Sequence, residues 1–415
     1  MSVKRRFIDP FFPNRPVDDP ERFSGRDYQV DEVVDSLFQT ANDNPKHTII
    51  TGDRGMGKSS LLLQAKLLAT GDNRLADRLN IDLGYDKFDF IVAWHDANVD
   101  QTPQNIVSGL LRDLETNMNK FFGKFNLELD IYGFKVSSYK EESKKSVTDL
   151  VNDFCDLIKK SYKPVLEGKK QGILLFVDEL DRVKPDSGIG SFFKLCTEKL
   201  NREGLKKVAF FCAGITGAVQ KLEEDHASIF RTLRDIPIPR LSKEETTSIL
   251  KKGFEKCGFT YEPALSESVY KLSVGFPEPV HILGSEMLSV SEDNHLTLED
   301  YESAKKRVVT DVRRNKLESL LKRAGYGKYQ LILQAMAAYE GSYVPLEFIS
   351  SYIGYEQNQF STNISNLIDR ETISRVDKGV YTFVDPLLKE YIRNFGIISI
   401  KEEDPAENVT QMTLF

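Results

Sequence analysis

The sequence predicts an α/β domain built on a parallel sheet, followed by a helical domain and a winged helix. Short, continuously apolar segments alternate with helical patterns up to residue 239, as in a parallel sheet with helices on both faces. The strand signal then fades, and two short strands around a glycine turn return near residue 380. At 415 residues the chain is long enough for two or three domains.

Buried strands alternate with amphipathic helices along the predicted core. Four prolines make residues 1–22 irregular, so the α/β domain is expected to span residues 23–239. Residues 125–138 alternate weakly and predict a hairpin insertion. The predicted strands are 47–51, 88–94, 172–177 and 208–212. The predicted helices are 31–39, 58–70, 106–118 and 147–162.

The chain beyond the predicted core is mainly helical. Two capping boxes, Ser242–Glu245 and Thr297–Asp300, open helices, and two further helical stretches lie between them. Together they predict a small all-α domain, a lid, over residues 240–314. Residues 315–396 begin with helices and end with two short strands, which is typical of a winged helix. Residues 397–415 predict a flexible tail, because their first half is acidic and contains a proline.

The composition is that of an ordinary globular protein, with 40% hydrophobic and 29% charged residues. We expect a cytoplasmic protein, because the sequence has neither a signal-peptide pattern nor an apolar run of the roughly 18–20 residues that cross a membrane. The 4 cysteines are widely spaced and predict buried thiols rather than a disulfide or zinc framework. The net charge of −7 argues against a dedicated nucleic-acid binder, although a local basic face remains open.

The turn after the first predicted strand carries a phosphate-binding motif. Gly52–Ser59 matches GxxxxGK[ST] and lies between a predicted strand and a predicted helix, as the motif requires. Glycines let backbone N–H groups face the phosphates, and the helix N-terminus adds partial positive charge. Lys58 is expected to neutralise the β- and γ-phosphates, and Ser59 to ligate Mg²⁺. The nucleotide-binding residues predicted here are Gly52, Asp53, Arg54, Gly55, Met56, Gly57, Lys58, Ser59 and Ser60.

The most apolar predicted strand ends in two acids. Ile173–Val177 runs directly into Asp178 and Glu179, which is a Walker B pattern. We expect Asp178 to bind Mg²⁺ and Glu179 to polarise the attacking water. Asp181 is interpreted as a helix cap or an ion-pair partner. Together with the upstream motif, this pattern predicts a P-loop NTPase that binds ATP with Mg²⁺ and hydrolyses it to ADP and phosphate.

From about residue 20 to residue 395, the chain resembles the AAA+-related ATPases, particularly the STAND and archaeal-type branch near the origin-recognition initiators. Phe23–Arg26 is similar to the FxGR element of that family, which implies that Arg26 lies at the adenine. Thr216 follows a predicted strand where the family places its sensor-1 residue. Gly275–Pro277 is similar to the GxP motif, whose proline, here Pro277, touches the nucleotide. The residues alone leave alternatives open. Phe23–Arg26 could be an ordinary loop, Thr216 could start a helix, and Gly275–Pro277 could end one.

Two arginines lie where related ATPases carry an arginine finger. The resemblance implies that Arg231 or Arg234 reaches the γ-phosphate of a neighbouring subunit in a homo-oligomer, while a solvated helix face is the alternative. The family's initiators place a sensor-2 arginine in the lid, whereas Glu278 follows the GxP motif here. His281 is the nearest polar substitute, and it is better interpreted as a packed helix residue. This departure favours a slow switch over a fast motor.

The predicted winged helix leaves its partner open. Its recognition helix, Gln357–Ile368, has no lysine or arginine, and Arg370, Arg375 and Lys378 follow it. Readers of DNA usually combine such cations with base-reading amides, whereas winged helices of STAND proteins often contact protein. The sequence is compatible with either partner.

The last five residues resemble the QxxLF peptide with which bacterial replication and repair proteins bind the sliding clamp. The resemblance implies that Leu414 and Phe415 fill an apolar pocket and that Gln411 hydrogen-bonds at its rim; chance similarity is the alternative. The sequence therefore predicts an ATP-dependent switch in DNA metabolism that is recruited through the clamp. A nucleotide-gated signalling or scaffold protein without a role on DNA is the alternative hypothesis.

Overall fold

The computed structural model describes residues 7–99, 101–127, 129, 146–184, 186–215, 222, 229–400 and 409–412. The chain divides into two compact units: Pro16–Pro239, and Met1–Arg15 together with Arg240–Phe415. Within the described residues, no helix is both long and apolar enough to cross a membrane.

The unit Pro16–Pro239 contains a five-stranded sheet in the order β2-β3-β4-β1-β5. All neighbouring strands are parallel, which confirms the predicted parallel sheet. The strands are β1 His47–Thr51, β2 Ile91–Asp96, β3 Ile173–Asp178, β4 Val208–Gly214 and β5 Leu233–Pro237. The helices are α1 Asp27–Ala41, α2 Lys58–Ala69, α3 Arg74–Leu79, α4 Pro103–Phe122, α5 Val147–Glu167 and α6 Ile189–Arg202.

The sheet is buried on both faces, because side chains from both sides of its central strands are covered. Every residue of β1, β3 and β4 is buried. On one face, Phe210 of β4 packs against Phe193 of α6 at a ring-centroid distance of 5.1 Å and against Phe154 of α5 at 6.1 Å. Burial on both faces explains why these strands have continuous apolar sequences rather than alternating ones.

Two features of this unit differ from the sequence prediction, and a third prediction is not tested. Strand β2 begins at Ile91 rather than at residue 88, and it ends at Asp96. Strand β5 and helices α3 and α6 were not predicted; β5 is a sheet edge in which only Leu233 and Ile236 are buried. The predicted hairpin at 125–138 lies mostly outside the described residues.

The second unit is mainly helical after Arg240. Its strands pair as β6 with β7, β11 with β12, and β8-β10-β9 as an antiparallel sheet. The helices are α7 Lys243–Lys256, α8 Ala264–Ser273, α9 Pro277–Val290, α10 Leu298–Arg307, α11 Arg314–Ala324, α12 Lys328–Ala338, α13 Leu346–Ile353, α14 Ser361–Asp369 and α15 Pro386–Phe395. The strands are β6 Thr260–Tyr261, β7 His295–Leu296, β8 Val344–Pro345, β9 Ile373–Asp377, β10 Val380–Phe383, β11 Ile397–Ile400 and β12 Val409–Met412.

Both predicted capping boxes are confirmed. The Ser242 amide donates to a carboxylate oxygen of Glu245 at 2.7 Å, and the Glu245 amide donates to Ser242 Oγ at 3.1 Å. Thr297 and Asp300 make the same reciprocal pair at the start of α10. Each pair satisfies amide groups that have no partner inside the helix.

The irregular N-terminal segment is part of the core of the second unit. The Phe11 ring packs edge-on against Phe254 of α7 at 5.5 Å. A Cβ atom at Gly253 or Gly284 would lie within 2.5 Å of this ring, so both helical glycines leave room for Phe11. The sequence predicts the irregular backbone but not this packing.

Two further differences lie in the C-terminal part of this unit. The predicted recognition helix is interrupted, because a 3₁₀ turn at Gln357–Gln359 precedes α14 and Phe360 is buried between them. Part of the predicted flexible tail is a strand, since β12 pairs antiparallel with β11 and places Gln411 opposite Ile398. Residues 401–408 and 413–415 lie outside the described residues. The identification of β8–β10 and their helices as a winged helix stays a prediction.

Candidate nucleotide site

The predicted phosphate-binding loop connects β1 to α2. Gly55 and Gly57 have φ values of 77° and 92°, in the left-handed region that glycine adopts without strain. The turn at Gly57 directly precedes Lys58, the first residue of α2. The first amides of α2 therefore have no partner within the helix and can bind an anion.

Lys58 is held over the loop by two backbone carbonyl groups. Its Nζ donates to the carbonyl oxygens of Gly52 and Asp53, at 2.9 Å each. Burial lowers the pKa of Lys58, and the nearby carboxylates of Asp181 and Asp178 oppose this effect. A bound phosphate offers the ammonium group stronger, charged acceptors than these two carbonyls.

Asp178 lies at the end of β3 beside the loop. Its side chain is 6% exposed, and burial raises its pKa, while a side-chain hydrogen bond with Ser59 has the opposite effect. The Glu179 amide also donates to Asp178 Oδ1 at 2.8 Å. A hydroxyl and a carboxylate in contact supply the oxygen ligands that Mg²⁺ prefers when phosphate oxygens and water complete its shell. Ser59 and Asp178 therefore fit the predicted metal position.

No larger metal cluster lies in the part of the chain that the structure describes. There, no group of three or more His, Cys, Asp or Glu side chains could hold a metal ion.

Glu179 follows the strand with left-handed backbone angles, φ 55° and ψ 38°. Its Oε2 atom forms an ion pair with Nε of Arg182 at 2.8 Å. Burial raises the pKa of Glu179 and Arg182 lowers it, while Asp178, Asp181 and Asp96 raise it further. The predicted water-polarising carboxylate is therefore beside the site and engaged by a cation.

Two more acids lie at this edge of the sheet. Asp181 accepts a hydrogen bond from the Ile215 amide at 3.2 Å, and its charge opposes the lowering of the Lys58 pKa by burial; its role as a helix cap or an ion-pair partner stays a prediction. Asp96 ends β2 directly opposite Asp178 and was missed by sequence reasoning. An acid that follows an apolar strand could have indicated Asp96, but the predicted strand ended at residue 94 and β2 ends at Asp96. The parallel register brings both acids to one edge.

The FxGR segment contacts the loop in the same unit. Arg26 is 5% exposed and has left-handed backbone angles, and its Nη2 donates to the Met56 carbonyl at 3.3 Å. Ser60, predicted to bind nucleotide, accepts a hydrogen bond from the Val17 amide at 3.0 Å. The N-terminal segment of this unit is therefore fixed to both the loop and α2, and the adenine role of Arg26 stays a prediction.

The predicted sensor and finger residues are only partly described. Thr216 lies outside the described residues. Arg231 is exposed at the end of a 3₁₀ turn. Arg234 belongs to β5, where it forms ion pairs with Glu32 and, at 3.1 Å, with Asp35 of α1. Because Arg234 is already paired within its own chain, Arg231 is the better candidate for a contact with a neighbouring subunit.

The remaining predicted site residues belong to the second unit. Pro277 is the first residue of α9, and Gly275 before it has φ 77° and accepts a hydrogen bond from the Leu241 amide at 2.8 Å. Gln411 lies in β12, whereas Leu414 and Phe415 lie outside the described residues. The nucleotide role of Pro277 and the clamp role of the tail stay predictions.

The parallel sheet, the loop at the start of α2 and the acids that end β3 are the features of a P-loop NTPase. The chain belongs to the family described as Novel STAND NTPase 1, whose profile matches residues 15–315. No curated protein matches the sequence.

Two solved structures share this fold over most of their length. The Walker-type ATPase of Pyrococcus abyssi is 18% identical, with a TM-score of 0.57, and the match covers 91% of this chain and 98% of that one. The ORC2 protein of Aeropyrum pernix, solved as ADPNP–ADP complexes, is 12% identical, with a TM-score of 0.55 and coverage of 91% and 95%. At these identities the likeness establishes the fold.

Proposed function

We propose that this protein is a slow ATPase that works as an ATP-dependent switch in DNA metabolism. The observation that carries the proposal is the grouping of Lys58, Ser59 and Asp178 at one edge of the parallel sheet, with Glu179 beside them. The nucleotides bound by the similar ORC2 structure support ATP as the ligand. Replication, repair, transposition and defence against foreign DNA are the processes in which such a switch would act.

Each residue has a separate role in the proposed reaction. The first amides of α2 and Lys58 bind the phosphates and neutralise their charge. Ser59 and Asp178 would hold Mg²⁺, which would supply positive charge against the phosphates. Glu179 orients the attacking water and accepts its proton. Arg26, Thr216 and Pro277 are the proposed contacts that report the nucleotide to the rest of the chain.

Nucleotide binding and turnover test the core of this proposal. Lys58→Ala should abolish ATP binding measured by calorimetric titration, whereas Lys66→Ala, the same charge change on the same helix, should not. Glu179→Gln should bind ATP but lose phosphate release by at least about 100-fold, because it lacks a general base. An Lys58→Ala protein that binds ATP like the parent would refute the assignment of the loop.

Assembly would supply the arginine finger. Arg231→Ala retains its own nucleotide site, and Lys58→Ala retains the finger, so each variant alone should be inactive. An equimolar mixture should recover part of the parent activity if the finger acts in trans. No recovery, or full activity of Arg231→Ala alone, would exclude this arginine as a trans finger.

The link to DNA rests on the wing of the C-terminal region. Arg375 and Lys378 are exposed at the β9–β10 hairpin, whereas the Arg370 guanidinium donates to the Ala324 carbonyl at 2.6 Å. Replacing both exposed cations by alanine should weaken binding to duplex DNA and reduce the salt slope by about 2, one for each lost phosphate contact. Lys251→Ala, an exposed cation on α7, is the control.

One observation favours the nucleotide-gated scaffold as a second candidate. Residues 346–369, which include α13 and α14, contain three acids and no lysine or arginine. A helix-turn-helix without cations is poorly suited to phosphate contacts. Parent protein that binds ATP but shows no salt-dependent affinity for DNA would make this second candidate the better account.

Recruitment by the sliding clamp is the remaining part of the proposal. Leu414→Ala together with Phe415→Ala changes the predicted anchor residues and leaves the sequence of β12 intact. These substitutions should abolish binding to a bacterial sliding clamp, as should a chain ending at Thr410. If both proteins bind the clamp like the parent, the terminal similarity is coincidental. If the parent itself does not bind, recruitment by this route is excluded.

A further inference from the structure

The chain turns sharply directly after Asp178. Glu179 has φ 55°, and the following residues Leu180–Arg182 form one 3₁₀ turn. The Arg182 amide closes this turn by donating to the Glu179 carbonyl at 2.9 Å. In a 3₁₀ turn the side chains of residues three positions apart, here Glu179 and Arg182, lie on the same side. The backbone therefore brings the Arg182 guanidinium back to the Glu179 carboxylate.

This ion pair engages the carboxylate that is proposed to act as the general base. Arg182 Nε lies 2.8 Å from Glu179 Oε2. A general base must direct an oxygen lone pair at its water, and a guanidinium bonded to that oxygen both fixes its direction and weakens it as a proton acceptor. We propose that Arg182 is a positioning residue that holds Glu179 in a resting orientation and that ATP hydrolysis requires this ion pair to open. This inference rests on the proposed ATPase function.

The exposure of the pair sets the size of the effect. The Arg182 and Glu179 side chains are 43% and 39% exposed, so water and salt compete with the contact. Ion pairs of this kind shift the equilibrium between the paired and the released side chains by a factor of about 1.4 to 5. Arg182 is thus a weak restraint that bound nucleotide or an assembled neighbour can overcome, not a permanent block.

The acids around Glu179 act in the same sense as Arg182. The charges of Asp178, Asp181 and Asp96 repel the Glu179 carboxylate, and the charge of Arg182 attracts it. Mg²⁺ and Lys58 would offset the repulsion once nucleotide is bound, which would favour release of Glu179 from Arg182.

The test compares Arg182→Gln with the parent full-length chain. Arg182→Gln should raise kcat by about 1.4- to 5-fold with an unchanged Kd for ATP, because only the orientation of Glu179 changes. The ratio of the two kcat values should fall towards one between 50 mM and 500 mM salt, because salt screens a partly exposed pair. The charge-matched control is Arg202→Gln, because Arg202 is an exposed arginine of the same unit. Its kcat should equal that of the parent at both salt concentrations.

Two further variants separate positioning from a general charge effect. Arg182→Lys keeps the charge but not the planar guanidinium and should lie between the parent and Arg182→Gln. Glu179→Asp shortens the carboxylate by one methylene group, so the pair cannot form with the same geometry. In that background, Arg182→Gln should no longer change kcat, and this non-additivity is the signature of an interaction between the two side chains.

Three results would overturn the inference. A kcat reduced 10-fold or more in Arg182→Gln would make Arg182 a catalytic residue that contacts phosphate. An unchanged kcat at low salt would show that the ion pair has no influence on the reaction, and a changed Kd would place its effect on binding. If the parent binds ATP without hydrolysing it, the proposed ATPase function fails, and this inference fails with it.

Discussion

The Phe11 side chain should stabilise the second unit by several kcal/mol, although it belongs to an irregular N-terminal segment. Its ring is 4% exposed and contacts Phe254 at a centroid distance of 5.5 Å. Replacing a buried phenylalanine by alanine costs about 3–5 kcal/mol. We expect about 3 kcal/mol for Phe11→Ala, because a segment without regular structure can partly collapse into the cavity.

The two glycines around the ring allow a stricter test. A Cβ atom at Gly284 would lie 2.5 Å from the Phe11 ring, so Gly284→Ala should destabilise the parent protein by about 1–3 kcal/mol. In the Phe11→Ala background the same methyl group has space. There, Gly284→Ala should stabilise the protein by about 0.5–1 kcal/mol, because alanine is a better helix former than glycine. The effect of one substitution is therefore expected to change sign.

Differential scanning calorimetry of the full chain is the suitable assay. The only tryptophan, Trp94, lies in the other unit, so its fluorescence does not report on the packing of Phe11. Ile8→Ala is the control, because Ile8 belongs to the same segment and is 86% exposed. Equal thermal shifts for Phe11→Ala and Ile8→Ala, or a destabilising Gly284→Ala in both backgrounds, would refute the packing argument.

Three other substitutions test local features of the fold. Burial lowers the pKa of His47 to about 4. Because an unfolded histidine takes up its proton near pH 6.5, the stability from neutral His47 should be complete above pH 6.5 and fall by about 3 kcal/mol towards pH 4; His47→Gln should flatten this dependence in denaturant titrations. Ser242→Ala should cost about 1 kcal/mol in the same titrations, because α7 loses its cap. Gly172→Ala should lower the melting temperature, since its Cβ would lie 2.2 Å from the Lys207 carbonyl oxygen.

The elements around the nucleotide site could be predicted because local sequence determines them. Strand β1 has the predicted bounds, and α2 starts at the predicted residue, Lys58. The glycine pattern requires a loop there, and continuous apolar residues predict a strand buried on both faces. The position of Asp178 at the end of β3 follows from the same two signals.

Other features depend on contacts that no local pattern contains. Residues Phe88 and Phe90 are fully buried although they precede β2, and this burial moved the predicted start of the strand three residues too early. Strand β5 has a polar edge sequence whose pairing depends on β1. Phe11 fits between α7 and α9 because two glycines lie there, and helical periodicity does not indicate what such glycines contact.

The shifted boundary of β2 has a chemical consequence at the site. Because β2 continues to Asp96 in parallel register with β3, its last carboxylate lies opposite Asp178 rather than in a distant loop. Asp96 and Asp181 then add their charges to those of Asp178 and Glu179: the charge of Asp96 acts on Asp178 and on Glu179, and the charge of Asp181 acts on Glu179 and on Lys58. Under the proposed function, a nucleoside triphosphate that enters without a cation would be repelled by these carboxylates. We therefore expect ATP to bind here together with Mg²⁺, because Lys58 is one positive charge beside several acids.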